Sequence, residues 1–208
     1  SGEEKLIGWL QERQVALLGT PEPVELDAID RATAANPKDL PKQQAAVAYW
    51  LSKKYRVAPE PLSALVTEAY EIGARTKLDP TLILAIMAIE SSFNPFAQSP
   101  VGAQGLMQVL NRVHDDKYEA FGGNLAAFDP LTNLRVGVQV LKDCIAKAGS
   151  LEGGLRYYVG AANLNDDGGY AFKVLAEQGF MQQLLKGRSV PVTARLPVPP
   201  SGASAVEP

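Results

Sequence analysis

Glu90 closes a run in which every residue from Leu82 to Ile89 is apolar. A helix that is apolar on all faces has to be buried, so this carboxylate is carried to the edge of a core. Asn94-Pro95 follows, and the residue before a proline is pushed out of the helical region. That predicts a helix end just there, with Glu90 in the last turn. Burial disfavours the charged carboxylate, and the negative pole of the helix dipole disfavours it further. A carboxyl that keeps its proton near neutral pH can protonate a leaving group. The plainer reading is a glutamate that bends into solvent or pairs with a base. The nearest downstream basic residue is Arg112, and Arg75 and Lys77 lie more than two turns back. No ion pair at helical spacing is therefore available, and on pattern alone the two readings balance. The next segment holds Pro95, Ser99, Pro100, Gly102 and Gly105, an irregular connection that could wrap back over the helix end. Its glycines permit turns and close approaches denied to other residues. No Gly-Lys-Ser/Thr follows, so this is not a phosphate loop.

Other reactive side chains are few. His114 is the sole histidine, too little for a histidine metal cage or a Ser-His nucleophile pair, and it reads as a surface or packing residue. Cys144 is the sole cysteine, which excludes an internal disulfide framework and a cysteine metal cluster; beside Gly137 and Val140 it reads as core. Asp115-Asp116 and Asp166-Asp167 read as solvated turns, although either pair would supply a second carboxylate to a hydrolase. No cofactor and no metal are expected. With 46% hydrophobic and 21% charged residues, the chain is an ordinary globular sequence. Its net charge of −3 and the lack of any basic run beyond Lys53-Lys54 argue against nucleic acid and anionic membrane surfaces as partners.

The elements that must position Glu90 read as helices. Residues 6–18 and 42–55 are short candidates, separated by a turn-rich stretch. Leu62, Leu65, Val66, Ala69, Ile72 and Gly73 share one face of an amphipathic helix. Asp79-Pro80 and Asp129-Pro130 each offer a capping carboxylate and a proline suited to the first helical position. The second opens a helix with Leu131, Leu134, Val138, Leu141 and Ile145 on one side. Leu151, Leu155, Tyr158, Val159 and Ala162 mark another helix, and a last one runs from about Ala171 to Lys186. Strand alternation is almost absent, leaving room only for a short hairpin within 111–128. The 208 residues thus divide into a helical N-terminal extension (1–60), an all-α domain (61–187) and a flexible, disordered Pro-rich C-terminal tail (188–208). No apolar run is long enough for a membrane span. No signal peptide is visible. Because Ser1-Gly2 opens the chain, an export signal or anchor could have been removed.

The stretch "ESSFNPFAQSPVGAQGLMQ" (90–108) resembles the catalytic signature of the family 1 lytic transglycosylases, the soluble-lytic-transglycosylase type of the lysozyme-like superfamily. The matching residues are Glu90-Ser91, Asn94-Pro95, the run Ser99 to Ala103, and Gly105-Leu106-Met107-Gln108. "NLRVGVQVL" (133–141), "LRYYVGAAN" and "GGYAFKVL" are similar to later family segments, so that the resemblance covers about residues 62–185.

The resemblance implies cleavage of the MurNAc-β-1,4-GlcNAc bond of peptidoglycan, with a lysozyme-like helical fold and Glu90 as the single catalytic carboxylate. Glu90 would act as acid and then as base, and the muramyl C6 hydroxyl would close a 1,6-anhydro ring. Such a route dispenses with the second carboxylate that most glycosidases use. The resemblance also assigns Ser99, Met107 and Gln108 to the sugar cleft and sets the phenol of Tyr158 near the acid. Tyr170 and, more weakly, Asp166 come from the last segment. The sequence departs from the family pattern at Tyr157, at Val159 (the family's asparagine) and at Ala171. The choice of Tyr158 over Tyr157 rests on register. The implied setting is periplasmic or cell-envelope, with glycan strands as partner. Two other readings are a hydrolytic muramidase on the same fold and a weakly active glycan-binding scaffold. The N-terminal helices and the tail would suit the scaffold to tethering within a cell-envelope assembly such as a secretion apparatus.

Overall fold

In the computed structural model the described residues are 36–110, 114, 116, 117 and 124–198. The helix expected at 6–18 lies outside them. Six α-helices dominate: α1 (Lys42–Tyr55), α2 (Pro59–Thr76), α3 (Pro80–Ser91), α4 (Pro130–Ala148), α5 (Leu151–Tyr158) and α6 (Tyr170–Leu185). Two short 3-10 turns, Pro37–Asp39 and Asn124–Phe128, precede α1 and α4.

Both Asp-Pro pairs open helices as their chemistry dictates. The Asp79 carboxylate accepts from the Thr81 amide at 2.9 Å, and that of Asp129 accepts from Leu131 N and from the Thr132 hydroxyl at 3.2 and 2.9 Å. α3 is the central element, with Thr81 to Ala88 all buried. Its Leu82, Ile83, Leu84, Ile86 and Met87 contribute about 1.5–3 kcal/mol each by leaving water. α2 and α6 pack directly on it, while α5 packs against α4. Gly154 makes that last contact close, since a Cβ there would meet the Ile145 side chain at 2.5 Å.

Several boundaries differ from the sequence expectation. α3 stops at Ser91, three residues before Asn94, because Ser92 and Phe93 both adopt left-handed backbone (φ 51° and 63°). α5 stops at Tyr158, because the chain turns through Val159 and the left-handed Gly160 (φ 79°). Most of 111–128, where the sequence leaves room for a short hairpin, lies outside the described residues; just before it β1 (Ala103–Gln104) pairs antiparallel with β2 (Val109–Leu110). The divisions drawn at residues 60 and 187 do not coincide with breaks in packing. Val47, Trp50 and Leu51 of α1 and Val190 beyond α6 share one core cluster with α3. The Trp50 indole N–H donates to the Val190 carbonyl at 3.0 Å.

Candidate active site

Glu90 is half-buried in the last turn of α3, on the wall of a cavity of about 530 Å³. Ser99, Gln108 and Tyr158 line the same cavity. Burial pushes the Glu90 carboxyl up to about 7, and a hydrogen bond from the Tyr170 phenol opposes the rise. That phenol donates to Glu90 Oε1 at 2.7 Å. Its own pKa is driven far above the ordinary phenol range, by burial first and then by the Glu90 charge. Tyr170 is thus a permanent donor, holding the carboxylate in one orientation and stabilising its charged form.

Tyr170 reaches Glu90 because of a tightly capped turn. Gly168 and Gly169 are left-handed (φ 66° and 77°). Asp167 accepts from the amides of Gly169 and Ala171 at 2.9 and 3.1 Å, so that Tyr170 starts α6 facing α3. Asp166 is exposed and accepts from Gly168 N at 3.0 Å; it does not line the cavity.

The loop from Ser92 to Gln108 folds over the end of α3, as its glycines suggest. The Ser91 hydroxyl lies 2.7 Å from the Leu106 carbonyl and 3.0 Å from that of Met87. Asn133, fully buried in the first turn of α4, accepts from Met107 N at 2.7 Å and donates to the Gln104 carbonyl at 2.9 Å. Gly105 makes room for this clamp: at φ 80°, a Cβ would stand 2.3 Å from Asn133 Nδ2 and 2.4 Å from the Ala127 carbonyl.

The expected site residues divide by what they touch. The Ser99 hydroxyl oxygen accepts from Ala103 N at 3.0 Å. Gln108, at φ 51°, spends its amide N–H groups on the carbonyls of Ala97 and Gly105, both at 3.0 Å. Met107 is fully buried, with its side chain filling the space left by Gly137. The sugar face expected of its thioether is closed off, and its contribution to the site is a backbone one. Its carbonyl accepts from the Tyr158 phenol at 2.7 Å. The Tyr158 ring lines the same cavity as Glu90, and the Tyr170 phenol, which the last segment brought into the expected site, is a direct donor to Glu90.

Asn133 heads the family-like segment 133–141 but carried no site role in the sequence; its burial in the first turn of α4 gives it one. Sequence reasoning missed the far wall of the cavity. There Val140, Asp143, Cys144 and Lys147 of α4 stand with Tyr157 and Val159. Cys144, expected in the core, is half-buried at this wall, as is His114. Among the described residues no group of three or more His, Cys, Asp or Glu side chains could hold a metal.

A mostly helical domain that holds a half-buried carboxyl at the end of its central helix, beside a glycine-pinned loop and an open cleft, has a lysozyme-like architecture. The chain belongs to the Transglycosylase SLT domain family, which matches residues 52–177, more than half of the sequence. Among curated proteins it is similar to the transglycosylase of Enterobacteria phage PRD1, with 33% identity over 91 residues, 44% of this chain and 32% of the relative. It is also similar to the membrane-bound lytic murein transglycosylase C of Mannheimia succiniciproducens, 41% identical over 77 residues, covering 34% of this chain and 22% of the relative. The protein of the same name from Photorhabdus laumondii is 43% identical over 70 residues, 31% of this chain and 20% of the relative. The chain thus spans a third or less of the length of these relatives. No solved structure matches it.

Proposed function

We propose that this chain is a peptidoglycan lytic transglycosylase that cleaves the MurNAc-β-1,4-GlcNAc bond, with Glu90 as acid and then base. The observation that carries the reading is a half-buried carboxyl on the wall of an open cavity, where burial pushes its pKa up to about 7. A pKa near working pH suits one group to both tasks. Glu90 gives its proton to the glycosidic oxygen as the bond to the anomeric carbon breaks. The muramyl C6 oxygen then bonds to that carbon, and its proton returns to Glu90, closing a 1,6-anhydro ring. Tyr170 donates to the carboxylate and lowers the cost of its charged stage.

Around the acid, Ser99 keeps its O–H for a sugar oxygen and Gln108 offers its amide oxygen. Tyr158 and Met107 act by pinning the loop, and Asp166 acts by shaping the turn before Tyr170. A single-carboxylate route is favoured because the other carboxylate among the described residues that line the cavity, Asp143, accepts from Gln139 Nε2 at 3.1 Å and pairs with Lys117 Nζ at 3.4 Å. Asp166 and Asp167 are moreover spent on backbone amides. The setting that follows is the cell envelope, with glycan strands as substrate and an envelope assembly as a further partner. No helix among the described residues is long and apolar enough to cross a membrane.

Digestion of purified sacculi by wild type and Glu90→Gln, with products identified by mass, tests the reading. Wild type should release anhydromuramyl ends, and the variant should lose about a hundredfold or more. Reducing ends instead would identify a hydrolase; glycan binding without turnover would identify a scaffold.

A further inference from the structure

Val140, Asp143, Cys144 and Lys147 of α4, with Tyr157 and Val159, line the same cavity as Glu90. From Val140 to Lys147 is seven residues of helix, about 10 Å. The stretch between is mostly apolar, and at its end the charges are unequal. Asp143 is satisfied on both oxygens, by Gln139 Nε2 at 3.1 Å and by Lys117 Nζ at 3.4 Å. Lys147 has no carboxylate partner among the described residues, and its ammonium sits 6.0 Å from the centre of the Tyr157 ring. An exposed lysine in the last turn of a helix gains a little from the dipole, but that does not place it at a cavity rim beside an exposed tyrosine.

We propose that this wall is a subsite for the peptide carried by muramic acid, with Lys147 pairing a peptide carboxylate. The apolar stretch of Val140, Val159 and the Tyr157 ring faces the lactyl and peptide methyl groups. This rests on the transglycosylase reading and adds to it: the cleft selects peptide-bearing glycan over stripped glycan.

The test compares wild type, Lys147→Gln and Lys147→Arg on sacculi and on the same glycan stripped of peptide by an amidase. Equilibrium binding of short soluble glycan chains, with and without peptide, is measured alongside. Lys147→Gln should raise KM on peptide-bearing glycan by roughly three- to tenfold with kcat unchanged, as a partly exposed charge contact allows. It should leave stripped glycan untouched, Lys147→Arg should recover the loss, and salt should erode the preference. Equal effects of Lys147→Gln on both substrates, or none on either, overturn the proposal. Absence of anhydromuramyl products from both substrates, with peptide-bearing chains still binding more tightly, leaves the subsite standing and sinks the enzymatic reading.

Discussion

At the scale of residues, the Glu90 carboxyl and the Tyr170 phenol form one unit, and their opposed effects on a proton can be separated. Removing the phenol leaves burial unopposed, so Tyr170→Phe should raise the pKa of Glu90 further. The alkaline limb of the pH–rate profile should move up by about one pH unit, the scale of a hydrogen bond to a charged group. The rate should fall as the base form becomes costlier and less oriented. A profile that keeps its limb would mean the contact is not made in solution. A stability effect runs in parallel. Burial raises the Glu90 carboxyl to about 7 from an ordinary 4.5, so folding favours its protonated form. Stability is then full below the unfolded value and falls as pH rises through the folded one. Glu90→Gln should therefore match wild type in Tm near about pH 4 and exceed it by a few degrees near about pH 8. The gain in stability and the loss of activity would come from the same change.

At the scale of elements, the candidate site depends on α4 as much as on α3, because Asn133 clamps the loop that folds over the end of α3. Asn133→Ala leaves Met107 N and the Gln104 carbonyl without these hydrogen bonds at a buried position. The expected cost is about 1–3 kcal/mol, chiefly from the buried Met107 N–H that loses its acceptor. Denaturant unfolding measures it, and activity should fall with the loosened loop even at temperatures where the variant is folded. Gly105→Ala should be worse, since backbone strain at φ 80° adds to a 2.3 Å approach to Asn133. The capping of α4 and the clamp of the loop come from the same turn, where Asp129 holds the helix start and Asn133 reaches out of it.

At the scale of the whole molecule, α1 and Val190 beyond α6 share the core cluster that surrounds α3. Glu177 of α6 is fully buried and accepts from Lys54 Nζ at 2.7 Å and from the Tyr55 phenol at 2.5 Å. The Lys54 ammonium lies over the rings of Trp50 and Phe180, 4.7 and 4.9 Å from their centres. Breaking a buried pair strands a charge, so Glu177→Ala should cost about 3–5 kcal/mol. A chain cut to residues 61–187 loses Trp50, Lys54, Tyr55 and Val190 together. It should unfold at lower temperature and with less cooperativity than residues 36–198, as calorimetry of the two would register. Equal transitions would show that the outer segments add nothing.

How much could be read from the sequence depended on whether the signal was local. An unbroken apolar run fixed the burial of α3, Asp-Pro pairs marked two helix starts, and 90–108 carried enough spaced residues to single out Glu90 and the loop that folds over the end of α3. These follow from chain chemistry within a few residues of each position. Partners far apart in sequence were decided only by packing. Tyr170 meets Glu90 because Asp167 and two left-handed glycines aim the start of α6 at the end of α3. Met107 turns into the core because Gly137 leaves it space. Trp50 draws Val190 back onto α1, so that a proline-rich segment with the composition of a free tail is tied to the domain. A composition reports what a segment can bury, whereas a hydrogen bond across 140 residues exists only once the fold has brought its ends together.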